Sequence, residues 1–227
     1  MIPGRIPDTL ARFKELPPLF ERHGIDNVGR WHATAGHGGP NFVYMMAYRD
    51  FAERDAQWSS FQRDDDWWRF RTETNRGEEM TERFDLLFLR PNAAWPAPQD
   101  GAGEERIGGL HELTIAEIAI GQNTIANDYL REVFVPLVAR AGGRLMMLAD
   151  LVSGAALPKL AWMIAWPDAG AREAGRRIID NDPESLAAIK AQRHARGRAA
   201  IGKHDTWVLT PTDYLLPQAA LGYPRPD

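Results

Sequence analysis

The sequence predicts an α+β protein built from two tandem ferredoxin-like modules. Three observations predict it. The segments Asn41–Asp55 (NFVYMMAYRDFAERD) and Lys159–Glu173 (KLAWMIAWPDAGARE) align at one offset, 118 residues (160 − 42 and 172 − 54): Phe42 falls on Leu160, Tyr48 on Trp166, Asp50 on Asp168 and Arg54 on Arg172. A fixed offset across a strand and the start of a helix points to duplication of one folding unit. The hydrophobic pattern of the two halves gives the same run of strands and helices. A single stretch rich in proline and glycine, Pro91 to Gly109, separates them. Two copies are too few for a solenoid, so the expectation is two modules that shield each other's sheets. Their bounds are set at residues 1–95 and 109–227, with a linker at 96–108, each half being of ordinary domain size.

Within the first half, Asp8-Thr9 suits a helix N-cap, with Leu10, Phe13 and Leu16 on one face. Pro17-Pro18 bends or restarts that helix, and Gly24 ends the next turn. Val28–Thr34 alternates as a strand, Ala35–Pro40 is a turn, and Phe42–Tyr48 is a strand with two apolar faces, so both must be covered. Asp50 with Glu53 three residues on has capping-box spacing for a helix to about Gln62. Asp64-Asp65-Asp66 suits the N-terminus of a second helix holding Trp67, Trp68 and Phe70, which fades near Arg76-Gly77. Phe84–Leu89 is predicted as a strand closed by Arg90-Pro91.

The second half repeats the order: a strand at Leu110–Ile118, a helix from Asn123 to about Arg140, strands at Leu145–Val152 and Leu160–Trp166, a helix capped by Asp168, a helix opened by Pro183, and a strand at Thr206–Leu209. Pro136 lies 118 positions after Pro18, so the proline within the first helical region is shared. This is the β-α-β-β-α-β order of a ferredoxin-like unit. The first half lacks a counterpart of Leu110–Ile118. The neighbours of that central strand should then carry unpaired backbone groups. Either the natural chain starts upstream of Met1, or another segment takes the place, the tail Thr212–Asp227 or a partner chain.

Composition narrows the function. The chain has 227 residues, 44% hydrophobic and 26% charged, with no cysteine. Absence of cysteine excludes disulfides, thiolate nucleophiles and cysteine metal sites. A net charge of −4 and a pI near 5.9 give no footprint for a nucleic-acid partner. No apolar run is long enough for a membrane span and no apolar signal region follows Met1, so a cytoplasmic location and no membrane partner are expected. Eight tryptophans are available either for core packing or for an aromatic-lined cavity.

Ordered along the chain, Gly24-x3-Val28-Gly29-x-Trp31, Gly39-Pro40-x2-Val43, Tyr48-x5-Arg54, Asp66-Trp67-x2-Phe70 and Leu89-Arg90-Pro91 resemble the NIPSNAP family. A fainter copy follows in His111-Glu112-Leu113, Trp166, Arg172, Asp182-Pro183-Glu184 and Pro211. There the arginine and tyrosine usual in the first strand are replaced, and the counterparts of Trp67 and Trp68 are Ser185 and Leu186. The resemblance implies a dimeric α/β-barrel fold, here closed within one chain and further paired as a homodimer. Relatives of that fold include cofactor-free oxygenases, haem-degrading enzymes, isomerases and binding proteins, and fold alone does not choose among them.

Two histidines are the first candidates for chemistry. His32 lies mid-strand beside Trp31, and His37 sits in a glycine-rich turn; each reads as a general base or, the commoner case, as a structural or solvated side chain. At the offset of 118, His32 aligns with Asp150, an acid that could fix the imidazole tautomer. Glu117 is a mid-strand carboxylate, which must be paired or must line a wet cavity. Glu112 shares its strand but faces the other way. Arg54 reads as an ion-pair partner or as an anion clamp, like Arg172. Trp31, Tyr44, Tyr48 and Trp162 read as core or as the wall of a substrate cavity. No zinc-type His-Glu-x-x-His, phosphate loop or serine elbow occurs, so neither a metal site nor a tightly bound cofactor is expected; haem held by a histidine is the alternative.

Two functions follow. One is a small-molecule enzyme acting on an aromatic or polyketide-like substrate by proton abstraction, leading to oxygenation or isomerisation, with His32, His37 and Asp150 catalytic and Trp31, Tyr44, Tyr48, Arg54, Glu112, Glu117 and Trp162 around the substrate. The other is a non-catalytic small-molecule-binding or scaffold protein. An enzyme needs a cavity of roughly 300 Å3 or more holding a histidine or carboxylate. A scaffold would be packed solid and would expose an apolar patch.

Overall fold

One antiparallel sheet of seven strands runs through both halves of the chain, in the order β2-β1-β7-β4-β6-β5-β3. The computed structural model describes residues 1–95 and 109–212. The strands are β1 (Asp26–Ala35), β2 (Phe42–Ala47), β3 (Leu89–Pro91), β4 (Leu110–Ile118), β5 (Arg144–Leu151), β6 (Lys159–Trp166) and β7 (Ile201–Pro211). The helices are α1 (Ile6–Glu15), α2 (Pro17–Arg22), α3 (Phe51–Gln62), α4 (Asp65–Asn75), α5 (Asn123–Tyr129), α6 (Val135–Arg140), α7 (Ala169–Asn181) and α8 (Pro183–Arg196).

Strands β7-β4-β6-β5 form a complete ferredoxin-like sheet, joined by α5–α6 and α7–α8. The first half adds β1 beside β7 and β3 beside β5. The sheet curls on itself. One face of all seven strands feeds a single apolar cluster: Trp31 of β1, Val43 and Met45 of β2, Leu89 of β3, Leu113 and Ile115 of β4, Met147 and Ala149 of β5, Ala161 and Met163 of β6, and Trp207 and Leu209 of β7. The fold is therefore α+β, of the dimeric α/β-barrel type, with both halves of the chain contributing strands to one sheet.

The outer face carries two helical layers. Ala116, Leu148, Leu160, Trp162 and Ile164 pack under Leu130, Phe134 and Leu137 of the second half. Phe13, Leu16, Phe20, Trp58, Phe61 and Trp67 form the layer of the first half. β2 packs on both sides, as its two apolar faces require.

Side-chain caps open four of the eight helices described above. Asp50 accepts from the Glu53 backbone N–H as the N-cap, and the Glu53 carboxylate reaches back to accept from the N–H of Arg49, one residue before the cap. Asp64, Asp168 and Asp182 cap α4, α7 and α8 through Asp66, Ala171 and Ser185. Asp8 is not the cap of α1; the helix opens at Ile6, with Pro7 in its first turn. Pro136 leaves its mark as a wider π-type turn at Leu130–Phe134, because proline has no N–H to continue the ladder.

The strand expected at Phe84–Leu89 forms only at Leu89–Pro91, where β5 supplies a partner. Residues 84–88 carry no ladder. The strand expected at Thr206–Leu209 is longer, Ile201–Pro211, because β4 pairs with it along most of its length. The proposed linker and the tail beyond Thr212 lie outside the described residues.

Candidate functional site

A cavity of about 520 Å3 lies at the end of the barrel where β4 finishes and β6 and β7 begin, lined by Ile115, Glu117, Lys159, Gly202, Lys203, His204 and Asp205. The ladder places its charges. Glu117 stands opposite Lys159, and Asp205 opposite Ile115, whose side chain reaches the barrel core. Residues directly opposite share a face, so Glu117, Lys159 and Asp205 all stand on the lumen side. Below them Ile115, Leu113 and Trp207 continue the same face as an apolar wall.

Among the described residues, Glu117, Lys159, Lys203 and Asp205 form no ion pair with one another or with other groups. Two carboxylates and two ammonium groups around one wet cavity can bind an ionic group and move protons. A second cavity of about 600 Å3 adjoins it and shares Glu117 and Gly202. Its wall is apolar at Ile118, Ile120 and Leu157 and cationic at Arg193 and Arg198. Ile120 and Leu157 are exposed there.

Of the residues expected at a site, Glu117 alone lines this cavity. Trp31 is fully buried within the barrel, where its indole N–H donates to Nδ1 of His111 at 2.8 Å. Tyr44 is packed against Phe13 on the outer face. Tyr48 donates to the Met46 sulfur at 3.1 Å, and burial pushes its phenol up to about 12. Arg54 pairs with Asp55 and lies over the rings of Trp58 and Phe88. Trp162 is buried edge-on against Phe134 beneath the second-half helices. Glu112 is fully buried and bound by Arg172 at 2.5 Å, with Arg176 at 3.6 Å.

The pairing of His32 with Asp150 is not formed. β1 and β5 are separated in the sheet by β7, β4 and β6, and both side chains alternate with core residues, so they project outward. Asp150 instead accepts from Asn92 at 2.5 Å and lies 3.9 Å from Arg90. His37 is exposed, and its turn is used through the backbone: the His37 carbonyl accepts from the Trp207 indole and from Asn41. Gly36 fits this turn because a Cβ there would meet Trp207 at 2.4 Å.

Lys159, Lys203, His204 and Asp205 were not singled out in the sequence. The signal was present: alternation carried back from Trp207 puts Asp205 and Lys203 on the same face as the core residue Leu209. Among the described residues no three histidine, aspartate or glutamate side chains converge as a metal centre, and no helix is long and apolar enough to cross a membrane.

Comparison with known proteins adds to this. The chain is similar to a crystal structure named "putative monooxygenase" from Fusobacterium nucleatum subsp. nucleatum, with a TM-score of 0.53 and 10% identity, covering 97% of this chain and 90% of that one. A second structure of the same name, from Lactobacillus acidophilus NCFM, has a TM-score of 0.49 and 13% identity over 92% and 91%. At such identities the first likeness shows the fold alone. No curated protein matches the chain. Residues 1–95 match the NIPSNAP family model, and the fainter resemblance read in the second half lies beyond that match.

Proposed function

We propose that this chain is a small-molecule enzyme whose active site is the barrel mouth around Glu117, acting by proton abstraction on an aromatic or polyketide-like substrate without a tightly bound cofactor. The observation that carries the reading is the 520 Å3 cavity in which Glu117 faces the Lys159 position with no ion pair formed. Glu117 removes a proton from a carbon or phenol activated by a neighbouring carbonyl. The Lys159 ammonium stabilises the resulting enolate or phenolate, the charge that most needs help in such a step. Glu117, now protonated, returns the proton at the other end of the enolate in an isomerisation. With dioxygen as co-reactant the same anion leads to oxygenation, and the name of the Fusobacterium nucleatum structure lends that branch support. We further read the two halves as copies of one module, of which the second supplies the site.

A binding or scaffold role is the second reading. It is favoured by the solid packing of the barrel around Trp31, Met147 and Met163 and by the exposed side chains of Phe84, Leu86 and Leu87.

The experiment is a metabolite screen by thermal shift on the wild type and on Glu117→Gln, followed by mass spectrometry and oxygen uptake for each hit. Turnover by the wild type that is lost in Glu117→Gln while the hit still binds supports the enzyme. Binding without turnover in either protein supports the second reading.

A further inference from the structure

The cavity that adjoins the Glu117 cavity is lined by Arg193 and Arg198. Among the described residues neither guanidinium has a hydrogen bond or an ion pair. The arginines of the preceding helix differ: Arg172, Arg176 and Arg177 of α7 are all paired with carboxylates. The backbone that carries the two free guanidiniums is held in place. Gly197 ends α8 in the left-handed conformation, and its N–H donates to the Arg193 carbonyl at 2.9 Å. Ala200 then donates to the Gln192 side chain at 2.9 Å and accepts from the Ala119 N–H at 2.8 Å. These bonds set Arg193 and Arg198 on either side of a tight turn beside the end of β4.

The rest of that wall is largely apolar. Ile120 and Leu157 line it and are 78% and 43% exposed, apolar surface that an apolar body could cover. Glu117 and Gly202 belong to both cavities, so the space is continuous from the carboxylate to the arginines. Around it Lys159, Lys203, Arg193 and Arg198 stand against Glu117 and Asp205. That is an excess of two positive charges on a chain whose net charge is −4. Such a local excess draws an anion. The helix end at this cavity is the C-terminus of α8, whose carbonyl dipoles disfavour a dianion; phosphates are held at helix N-termini instead. A carboxylate carries a single charge and matches the planar fork of a guanidinium.

We propose that the ligand of this site is an amphipathic carboxylic acid. Its carboxylate is held by Arg193 and Arg198, and its apolar body lies over Ile120 and Leu157 toward Glu117. The inference rests on the reading of Glu117 as the reacting group and names the substrate class: a monocarboxylate whose reactive carbon lies at the end remote from the carboxylate.

The test is calorimetric titration of the full chain with ω-phenylhexanoate, ω-phenylhexanol and ω-phenylhexyl phosphate. The acid should bind one to one, about tenfold more tightly than the alcohol and more tightly than the phosphate. Its affinity, unlike that of the alcohol, should fall as salt is raised. Arg193→Gln with Arg198→Gln should weaken the acid about tenfold and leave the alcohol unchanged. Gly202→Leu removes no charge. A Cβ there would meet only Glu117, its carbonyl oxygen at 3.7 Å and its Cβ at 4.0 Å, so the variant folds. Its side chain narrows the space shared by the two cavities and should weaken acid and alcohol alike. The proposal is overturned if the acid does not bind, binds no more tightly than the alcohol, binds the double variant unchanged, or is outdone by the phosphate. Turnover of a neutral substrate that is lost in Glu117→Gln and unaffected by the arginine substitutions overturns the carboxylate assignment and leaves the enzyme. Binding of the acid through the arginines, with no carboxylic acid turned over, upholds the carboxylate site and removes the enzyme.

Discussion

The indole N–H of Trp31 and Nδ1 of His111 meet at 2.8 Å, and both side chains are completely buried. The bond ties β1 of the first half to β4 of the second over the intervening strand β7. Indole can only donate, so His111 accepts at Nδ1. Trp31→Phe removes the donor and part of the packed volume. It should lower stability by about 2 kcal/mol or more, read as a lower denaturant midpoint with an unchanged slope.

Gly29 lies under the same ring. A Cβ there would sit 2.0 Å from Cη2 of Trp31 and 2.6 Å from Cζ3. Gly29→Ala should therefore destabilise by about 1–3 kcal/mol through overpacking. In Trp31→Ala the space is free, so the double variant should lose clearly less than the sum of the two single losses. Additive losses would show that the ring does not lie on Gly29.

Glu112 has no exposed surface and depends on Arg172 at 2.5 Å and Arg176 at 3.6 Å. Removing the nearer guanidinium strands a buried charge, so Arg172→Ala should cost about 3 kcal/mol in thermal or chemical unfolding. Replacing both partners, as in Glu112→Leu with Arg172→Leu, should recover most of that loss. No recovery would mean that the arginine stabilises by its packing rather than by its charge.

Burial holds the Tyr48 phenol up at about 12, and the nearby Arg54 lowers it by less. The sign follows. In the unfolded chain tyrosine ionises near 10, so the neutral phenol favours the fold below that pH, and this stabilisation is lost as pH rises through about 12. Ultraviolet titration of the folded protein should show a tyrosine absent from Tyr48→Phe and titrating about two pH units above free tyrosine. A midpoint near 10 would place Tyr48 in solvent.

At the candidate site, Glu117→Gln should lower kcat on any substrate found by about 10²- to 10⁴-fold, the usual worth of a general base, with little change in KM. Lys159→Met should raise KM as well, since it removes the cation facing the bound anion. Equal, small effects of both would place the chemistry elsewhere in the barrel.

Much of the fold was legible because its signals are local. The Asp50, Asp64, Asp168 and Asp182 caps, the break at Pro136 and the alternation of β4 all lie within a few residues of what they specify. The site was less legible. His32 and Asp150 shared an offset, but β1 and β5 are separated in the sheet by β7, β4 and β6, so the offset did not bring them together. Glu117 was recognised through the cost of an unpaired mid-strand carboxylate. Asp205 and Lys159 were not, because each gains meaning only from the strand opposite.

The sequence alone determined most of the elements and the resemblance of the first half to the NIPSNAP family, since periodicity, capping and turn chemistry act over short distances. The tertiary structure alone decided which face of each strand became lumen and that β1 joins β7 and β3 joins β5. Those pairings bring together residues more than a hundred positions apart in β1 and β7 and about sixty apart in β3 and β5. Alternation shows that a strand has two faces. Only closure of the sheet shows which one becomes buried, and which carboxylate is left in water at its mouth.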